Sequence, residues 1–227
     1  MSSDDGALGL RDRKKLATRE ALSWAALRLA LERGLENVRV EDVAAEAEVS
    51  PRTFNNYFSS KEQAIVSIGI ARAAQRSAEL LARPPDENLA DSLIAVFAAQ
   101  PPRVEPLSER DRAARRLLIS APSLRGEYLK AQEEIERALA EAIAERTGSK
   151  AQDLYPRVLA AAVSGAERAA VTWWLELGAT GSPVEAIRQA ITQVVSHLEP
   201  PQRSVSPTSA RPSPPARGKA PSRRTRK

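Results

Sequence analysis

Apolar residues recur along the chain at the three- and four-residue spacing of amphipathic helices. Leu22, Ala26, Leu29 and Ala30 form one such stripe, which ends before Gly34. Prolines, glycines and short polar stretches separate the periodic segments. Helices are predicted at 11–33, 40–47, 51–58, 61–82, 88–99, 108–120, 124–146, 154–177 and 183–198. The pattern therefore predicts an all-α fold of about nine helices.

Composition supports this prediction. Of the 227 residues, 42% are hydrophobic, 28% are charged and only 4% are aromatic, and long β-branched runs are scarce, which favours helices over sheets. The most apolar region, 158–177, is interrupted by Glu167 and Arg168, so no membrane span is expected there. Asp4 and Asp5 lie where a secretory signal would need positive charge. We expect a cytoplasmic protein without membrane association.

The scarcity of cysteine and histidine limits the chemistry of the chain. Cysteine is absent and His197 is the single histidine, which excludes thiolate metal sites and His-rich metal clusters. The sequence has no Ser-His-Asp order, phosphate-binding loop or metal-ligand spacing. We therefore expect no enzymatic activity, no catalytic residue, no metal and no cofactor.

The net charge of +5 belongs to one end of the chain. Residues 199–227 carry eight basic residues and one acidic residue, which leaves 26 basic and 28 acidic residues in the first 198. This basic segment is rich in Pro, Ser and Arg and is predicted to be a disordered tail, and residues 1–10 a disordered arm. DNA binding by the remaining body must therefore come from a local motif.

A candidate helix-turn-helix lies in the two short predicted helices 40–47 and 51–58. Ser50 is a suitable N-cap and Pro51 suits the first helical turn. In such a motif the first helix braces the second, whose exposed side chains enter the major groove of DNA. The apolar side chains expected to hold the pair together are Val43, Ala44, Val49, Phe54 and Phe58.

Polar side chains on the second of these helices have the chemistry of DNA contacts. Arg52 can pair bidentately with guanine, and Asn55 and Asn56 can pair with adenine. The side chains suited to phosphate contacts are Thr53, Tyr57 and Lys61. Segment 11–19 carries five cations against one acid, which suits either DNA contact or a solvated basic face.

Residues 18–65 carry an ordered pattern, TREALSWAALRLALERGLENVRVEDVAAEAEVSPRTFNNYFSSKEQAI. A long first helix ends in Glu-Arg-Gly, VEDVAAEAEVS follows, and an aromatic-rich short helix closes on YF-x-x-K-E. This stretch resembles the DNA-binding domain of the TetR family of transcriptional regulators. Residues 83–198 agree with that family only in length and helical pattern.

The resemblance implies two domains with different functions. Residues 11–61 would be the helix-turn-helix domain, and residues 62–198 a helical regulatory and dimerisation domain whose ligand moves the fourth helix to loosen DNA. The implied base-reading residues are Pro51, Arg52, Asn55 and Asn56. The implied phosphate contacts are Arg39, Thr53, Tyr57 and Lys61.

Two residues depart from the family pattern. Arg39 stands where the family usually has a Ser or Thr cap, which removes a capping hydroxyl and adds a cation near phosphate. Glu48 stands where the turn usually has glycine, so a positive φ at this position would cost on the order of 1 kcal/mol.

The C-terminal helices supply candidates for a cavity and an interface. Adjacent Trp173 and Trp174 are 100° apart on a helix, so one is expected in the core or as a cavity wall and the other at an interface or on the surface. The candidate cavity walls are Leu93, Phe97, Leu118, Tyr128 and Trp173, whose apolar character suggests a hydrophobic ligand. The candidate dimer contacts are Ala166, Ala170, Trp174, Ile187, Ile191 and Val194. An intramolecular core explains the same apolar stripe on the last helix.

Together these features predict a ligand-responsive transcriptional repressor that binds double-stranded DNA as a homodimer on a near-palindromic site. Two alternatives stay open. One is a non-specific or architectural DNA binder driven by the basic tail at 199–227. The other is a helical protein-interaction module that no longer reads DNA, for which Glu48 in the turn is the best support.

Overall fold

The computed structural model describes residues 9–99, 109–178 and 182–196. Within these ranges the chain is helical and contains no strand, which confirms the all-α prediction. The helices are α1 (Leu10–Arg33), α2 (Val40–Glu46), α3 (Pro51–Tyr57), α4 (Lys61–Ala82), α5 (Leu89–Phe97), α6 (Glu109–Ser120), α7 (Arg125–Thr147), α8 (Leu154–Glu176) and α9 (Val184–Val195). Short 3-10 turns at Leu35–Asn37 and Pro122–Leu124 precede α2 and α7. None of these helices is both long and apolar enough to cross a bilayer. The predicted tail, and the predicted arm up to residue 8, lie outside the described residues.

A first hydrophobic core joins α1, α2, α3 and the N-terminal half of α4. Leu22 and Leu29 of α1 are fully enclosed, as are Phe54 of α3, Phe58 just after it and Ile65 of α4. The two phenylalanine rings pack in a tilted arrangement with centroids 5.8 Å apart, a geometry that aromatic pairs favour. This core also takes in side chains from the start of α7, so the N-terminal helices and α7 share one core.

A second core lies among the C-terminal helices. Leu80 near the end of α4 meets Leu93 of α5, Ile143 of α7, Leu159 of α8 and Ile191 of α9 in its interior. Helix α4 packs along α7, and α8 packs between α7 and α9. Because α4 and α7 contribute to both cores, neither core can shift without moving a helix that the other depends on.

One arginine fixes the junction between α4 and α5. The guanidinium of Arg146, near the end of α7, donates to the Arg83 carbonyl at 2.9 Å, to the Pro84 carbonyl at 3.1 Å and to the Ser92 hydroxyl at 3.1 Å. Glu87 accepts hydrogen bonds from Arg83 and Ser92, which lower the pKa of its carboxyl to about 2. The C-terminal end of α4 is thereby attached to α7.

The turn between α2 and α3 adopts a left-handed conformation at Glu48, whose φ is 54°. The amide of Val49 donates to the Ala44 carbonyl at 2.9 Å, and the amide of Glu48 donates to the Ala45 carbonyl at 3.1 Å. This pair of bonds is the Schellman ending of a helix, which glycine usually occupies because it has no Cβ. The strained φ anticipated for this position is therefore present, and the turn keeps its geometry with a glutamate.

We expect Glu48→Gly to stabilise the protein by about 0.5–1 kcal/mol, because glycine adopts the left-handed conformation without strain. The greater freedom of glycine in the unfolded chain offsets part of this gain. Urea unfolding followed by circular dichroism measures the difference. Glu48→Ala is the matched control: it removes the same carboxylate but keeps Cβ, and should give no comparable gain. Equal stabilisation by both variants would attribute the effect to charge instead of backbone strain.

Candidate nucleic-acid interface

Helix α3 begins at a cap that the sequence specifies. The hydroxyl of Ser50 accepts a hydrogen bond from the Thr53 amide at 3.1 Å, and Pro51 occupies the first helical position. The hydroxyls of Ser50 and Thr53 also lie 2.9 Å apart and share a hydrogen bond. Thr53 therefore takes part in the cap, and its half-buried hydroxyl keeps its proton for another acceptor when Ser50 donates the shared bond.

The predicted base-reading residues share one exposed surface of α3. Arg52, Asn55 and Asn56 are all exposed, and their spacing places them on one face of the helix. Phe54 lies on the opposite face, buried in the first core. Pro51 is exposed at the N-terminal end of the helix. Burial of one face thus presents a guanidinium and two carboxamides together to the outside.

Two arginines of α1 tie this helix to the helix-turn-helix. The guanidinium carbon of Arg19 lies 4.5 Å from the centre of the Phe58 ring, and its Nη1 donates to the Tyr57 carbonyl at 3.5 Å. Nine residues later, Arg28 forms an ion pair with Glu46 of α2. Sequence reasoning treated Arg19 only as part of a basic segment. The arginine-aromatic pairing joins residues 39 positions apart, so no local pattern reveals it.

The ammonium of Lys61 is directed to backbone oxygens. Its Nζ donates to the Leu35 carbonyl at 2.6 Å and to the Val38 carbonyl at 2.7 Å, which uses two of its three donors. The side chain is half-buried at the start of α4. Lys61 therefore ties α4 to the turn before α2. This structural role comes in addition to the phosphate contact predicted for it.

The remaining phosphate candidates lie closer to the outside. Arg39 is exposed at the N-cap of α2, where the carboxylate of Asp42 accepts from the Arg39 amide at 3.1 Å, the one bond of a capping box that needs no N-cap hydroxyl. Tyr57 is half-buried and borders an open cleft together with cations from the first turns of α1. The side chains lining this cleft are Arg11, Asp12, Lys14, Lys15, Thr18 and Tyr57. The basic end of α1 therefore lies beside the end of α3.

The five predicted cavity walls do not line one cavity. Leu93 and Phe97 are buried in the second core, and Tyr128 packs half-buried against the first core. Trp173 is 55% exposed on α8. Only Leu118 borders the cavity of about 900 Å³ between α1, α4 and α6. We call this cavity the junction cleft; among its walls are Leu16, Trp24, Leu27, Ile65, Ile68 and Leu118.

The predicted interface residues are mostly interior. Trp174, Ala170, Ile187 and Ile191 are buried within the chain, and Ala166 and Val194 are half-buried. Of the two tryptophans, Trp174 is buried and Trp173 is exposed, so their burial does not favour Trp173 as a cavity wall or Trp174 as an interface residue. A different apolar stripe faces out along α8 and just beyond its end, and we call it the outer face of α8. Its members are Leu154, Val158, Ala161, Ala169, Trp173 and Leu177.

Comparison with known proteins places both halves of the chain. Residues 24–66 match the family model of bacterial regulatory proteins, tetR family, and residues 83–199 match the model of the MftR C-terminal domain. The transcriptional regulator TcmR of Streptomyces glaucescens is 35% identical over 199 residues, which cover 85% of this chain and 87% of TcmR. This chain belongs to the TetR family of transcriptional regulators.

Solved structures of the same architecture agree with this assignment of the fold. SmeT, the repressor of the Stenotrophomonas maltophilia multidrug efflux pump SmeDEF, superposes with a TM-score of 0.52 at 14% identity, covering 78% of this chain and 88% of SmeT. NalD, the secondary repressor of MexAB-OprM in Pseudomonas aeruginosa, gives 0.50 at 17% identity, covering 82% and 98%. The family models and TcmR thus identify a DNA-binding transcriptional regulator, and the solved structures share its fold.

Lys61→Met should lower the free energy of unfolding by about 1–3 kcal/mol, because two carbonyls lose a charged hydrogen-bond donor. Urea unfolding measures this loss. Lys130→Met is the matched control, since Lys130 is an exposed helical lysine paired only at the surface with Glu127, and its loss should stay within about 0.5 kcal/mol. If Lys61→Met were as stable as the parent protein and altered only DNA binding, the hydrogen bonds to Leu35 and Val38 would contribute nothing to the stability of the fold.

Proposed function

We propose that this TetR-family regulator is a homodimeric repressor that reads a near-palindromic DNA site with two copies of α3, and that a hydrophobic small molecule releases it. The observation that carries the proposal is the exposed face formed by Arg52, Asn55 and Asn56, opposite the buried Phe54. Guanidinium and carboxamide groups are the side chains that pair bidentately with guanine and adenine. Pro51, exposed at the start of the helix, would pack against base edges or sugars.

Phosphate contacts would orient this face in the groove. We assign them to Arg39, Thr53 and Tyr57, with support from the basic first turns of α1 beside Tyr57. Lys61 would contribute its third donor while its other two remain on carbonyls. Backbone contacts of this kind position a reading helix without selecting sequence. Selection of the site would then depend on the three polar side chains of α3.

Dimerisation is supported by the outer face of α8. Leu154, Val158, Trp173 and Leu177 are between 44% and 78% exposed, and a contiguous apolar stripe of this kind marks an association surface. Alanines between the large side chains would let a second helix approach closely. Two copies related by a two-fold axis would cover the stripe with itself and set the separation of the two α3 helices.

Sequence-specific binding is the first property to test. Fluorescence anisotropy measures the affinity of the full chain for DNA from upstream of its own gene. A scrambled duplex at the same salt concentration is the control, and the ratio of the two affinities gives the sequence preference. We expect tighter binding to the upstream duplex. A chain lacking residues 199–227 tests the alternative that the basic tail drives non-specific binding. If this deletion abolishes both the affinity for DNA and its steep salt dependence, the tail and not α3 supplies the binding.

Arg52→Ala should weaken binding to the preferred duplex by about 1–3 kcal/mol and relax discrimination at one base position. The control is Arg137→Ala, which removes an exposed arginine of α7 paired with Glu141 and should leave affinity unchanged. Anisotropy titrations on duplexes with single base changes give both quantities. Unaltered site preference in the Arg52 variant would remove this residue from base reading.

Val158→Asp should convert the dimer to a monomer, because two buried carboxylates would face each other across a two-fold interface. Sedimentation velocity of the purified full chain distinguishes the two masses. Leu129→Asp, an equally drastic change at an exposed leucine of α7 outside the stripe, should stay dimeric. A dimer in both variants would place the interface elsewhere.

A further inference from the structure

The junction cleft lies between the reading domain and α6 and not inside the C-terminal helices. Its volume of about 900 Å³ falls in the range that holds drug-sized ligands. Leu27 and Ile65, both buried, form its floor, and half-buried Ile68 and Leu118 form opposite walls on α4 and α6. The cleft is thus open to solvent on one side, and apolar side chains from three helices line its inner surface.

The rim of the cleft carries large apolar side chains that water surrounds. Trp24 is 56% exposed and Leu16 is 47% exposed, and both line the opening on α1. An indole beside an apolar cavity offers a broad face for stacking a planar molecule. Covering these two side chains would remove apolar surface from water, which favours binding in proportion to the area buried.

Four polar side chains of the cleft are already paired with one another, Ser23 with Ser67 and Arg28 with Glu46. The hydroxyls of Ser23 and Ser67 lie 2.7 Å apart, and the carbonyls of Arg19 and Ala64 each lie 2.8 Å from one of them. One hydroxyl donates to the other, and the second donates to its neighbouring carbonyl. The guanidinium of Arg28 is paired with Glu46. These groups do not require a charged partner from a ligand. The chemistry therefore favours an uncharged, apolar and planar molecule.

The α1 wall of the cleft is connected to the helix-turn-helix. Arg19 and Arg28 both line the cleft, and their guanidiniums reach Phe58 beyond α3 and Glu46 of α2. A molecule that separated α1 from α6 would displace the helix from which both arginines extend. If the ligand binds the displaced arrangement more tightly than the DNA-binding one, then by linkage it lowers the affinity of the protein for DNA.

We propose that the junction cleft binds an uncharged, planar, apolar small molecule against Trp24, and that its occupation lowers the DNA affinity of α3. The second half of this statement rests on the proposed function, because it requires a sequence-preferred duplex. The first half concerns binding alone. The site differs from the cavity expected from Leu93, Phe97 and Trp173, none of which lines the junction cleft.

Nile red, an uncharged planar dye whose emission rises in apolar surroundings, is a suitable probe for the full-length protein. We expect saturable binding of one dye per chain. Trp24→Ala should weaken it by about tenfold or more through loss of the stacking face. Ala114→Phe should weaken it similarly, because it fills the cleft from α6. Circular dichroism and urea unfolding confirm that each variant is folded.

Leu129→Ala is the matched control, because it truncates an equally exposed apolar side chain on α7 outside the cleft. Its dye affinity should equal that of the parent chain. Weakening in the Trp24 and Ala114 variants alone supports the cleft. Unchanged dye binding in both of them, or equal weakening by Leu129→Ala, overturns it and locates the dye on another apolar surface.

Coupling is tested on the preferred duplex. Saturating Nile red should raise the Kd for that duplex by about fivefold or more, and the duplex should raise the dye's Kd by the same factor, since linkage is reciprocal. Dye binding in the cleft without any change in DNA affinity overturns the coupling. If no duplex is preferred over a scrambled one, the proposed function fails, while the Trp24 comparison still decides whether the cleft is a site.

Discussion

A helix of seven residues is too short to be stable in water by itself, since isolated helices need about 12–15 residues to be even marginal. Both α2 and α3 have this length, so the proposed DNA-reading surface exists only because other elements hold it. Phe54 and Phe58 are part of this support, and burial of each side chain contributes about 1.5–3 kcal/mol. Burial of these two rings fixes which side of α3 faces outward. The first core therefore sets the orientation of the proposed reading surface.

The sequence contains local information for this part of the fold. Ser50 and Pro51 specify where α3 begins, and the spacing of Phe54 and Phe58 specifies which side is buried, so the exposed face could be predicted. The unusual glutamate of the turn could also be recognised as a residue held at positive φ. Lys61 shows the limit of such reasoning. A lysine at the start of a helix suits phosphate, but its pairing with carbonyls 23 and 26 positions earlier depends on tertiary structure.

The C-terminal half was less predictable for a different physical reason. Helical spacing shows that Trp173 and Trp174 point in different directions, but which one is inside depends on where α7 and α9 pack. Inward apolar side chains were expected to line a cavity, whereas Leu93 and Phe97 are buried in the second core. The cleft arises where side chains are small, at Gly69, Ala71 and Ala114, and a missing side chain leaves no periodic signal.

The two ends of α4 explain how a small displacement could reach the reading surface. Its C-terminal end is attached to α7 through Arg146, while its N-terminal residue Lys61 holds the carbonyls of Leu35 and Val38 just before α2. At 1.5 Å per residue, the part of α4 that borders the cleft near Ile70 is roughly 18 Å from the attached end, and Lys61 is roughly 30 Å from it. A rotation about the attached end that moves the cleft wall by about 1 Å therefore moves Lys61 by nearly 2 Å. Because Lys61 is bonded to the turn before α2, this motion is passed to α2, the helix that packs against α3.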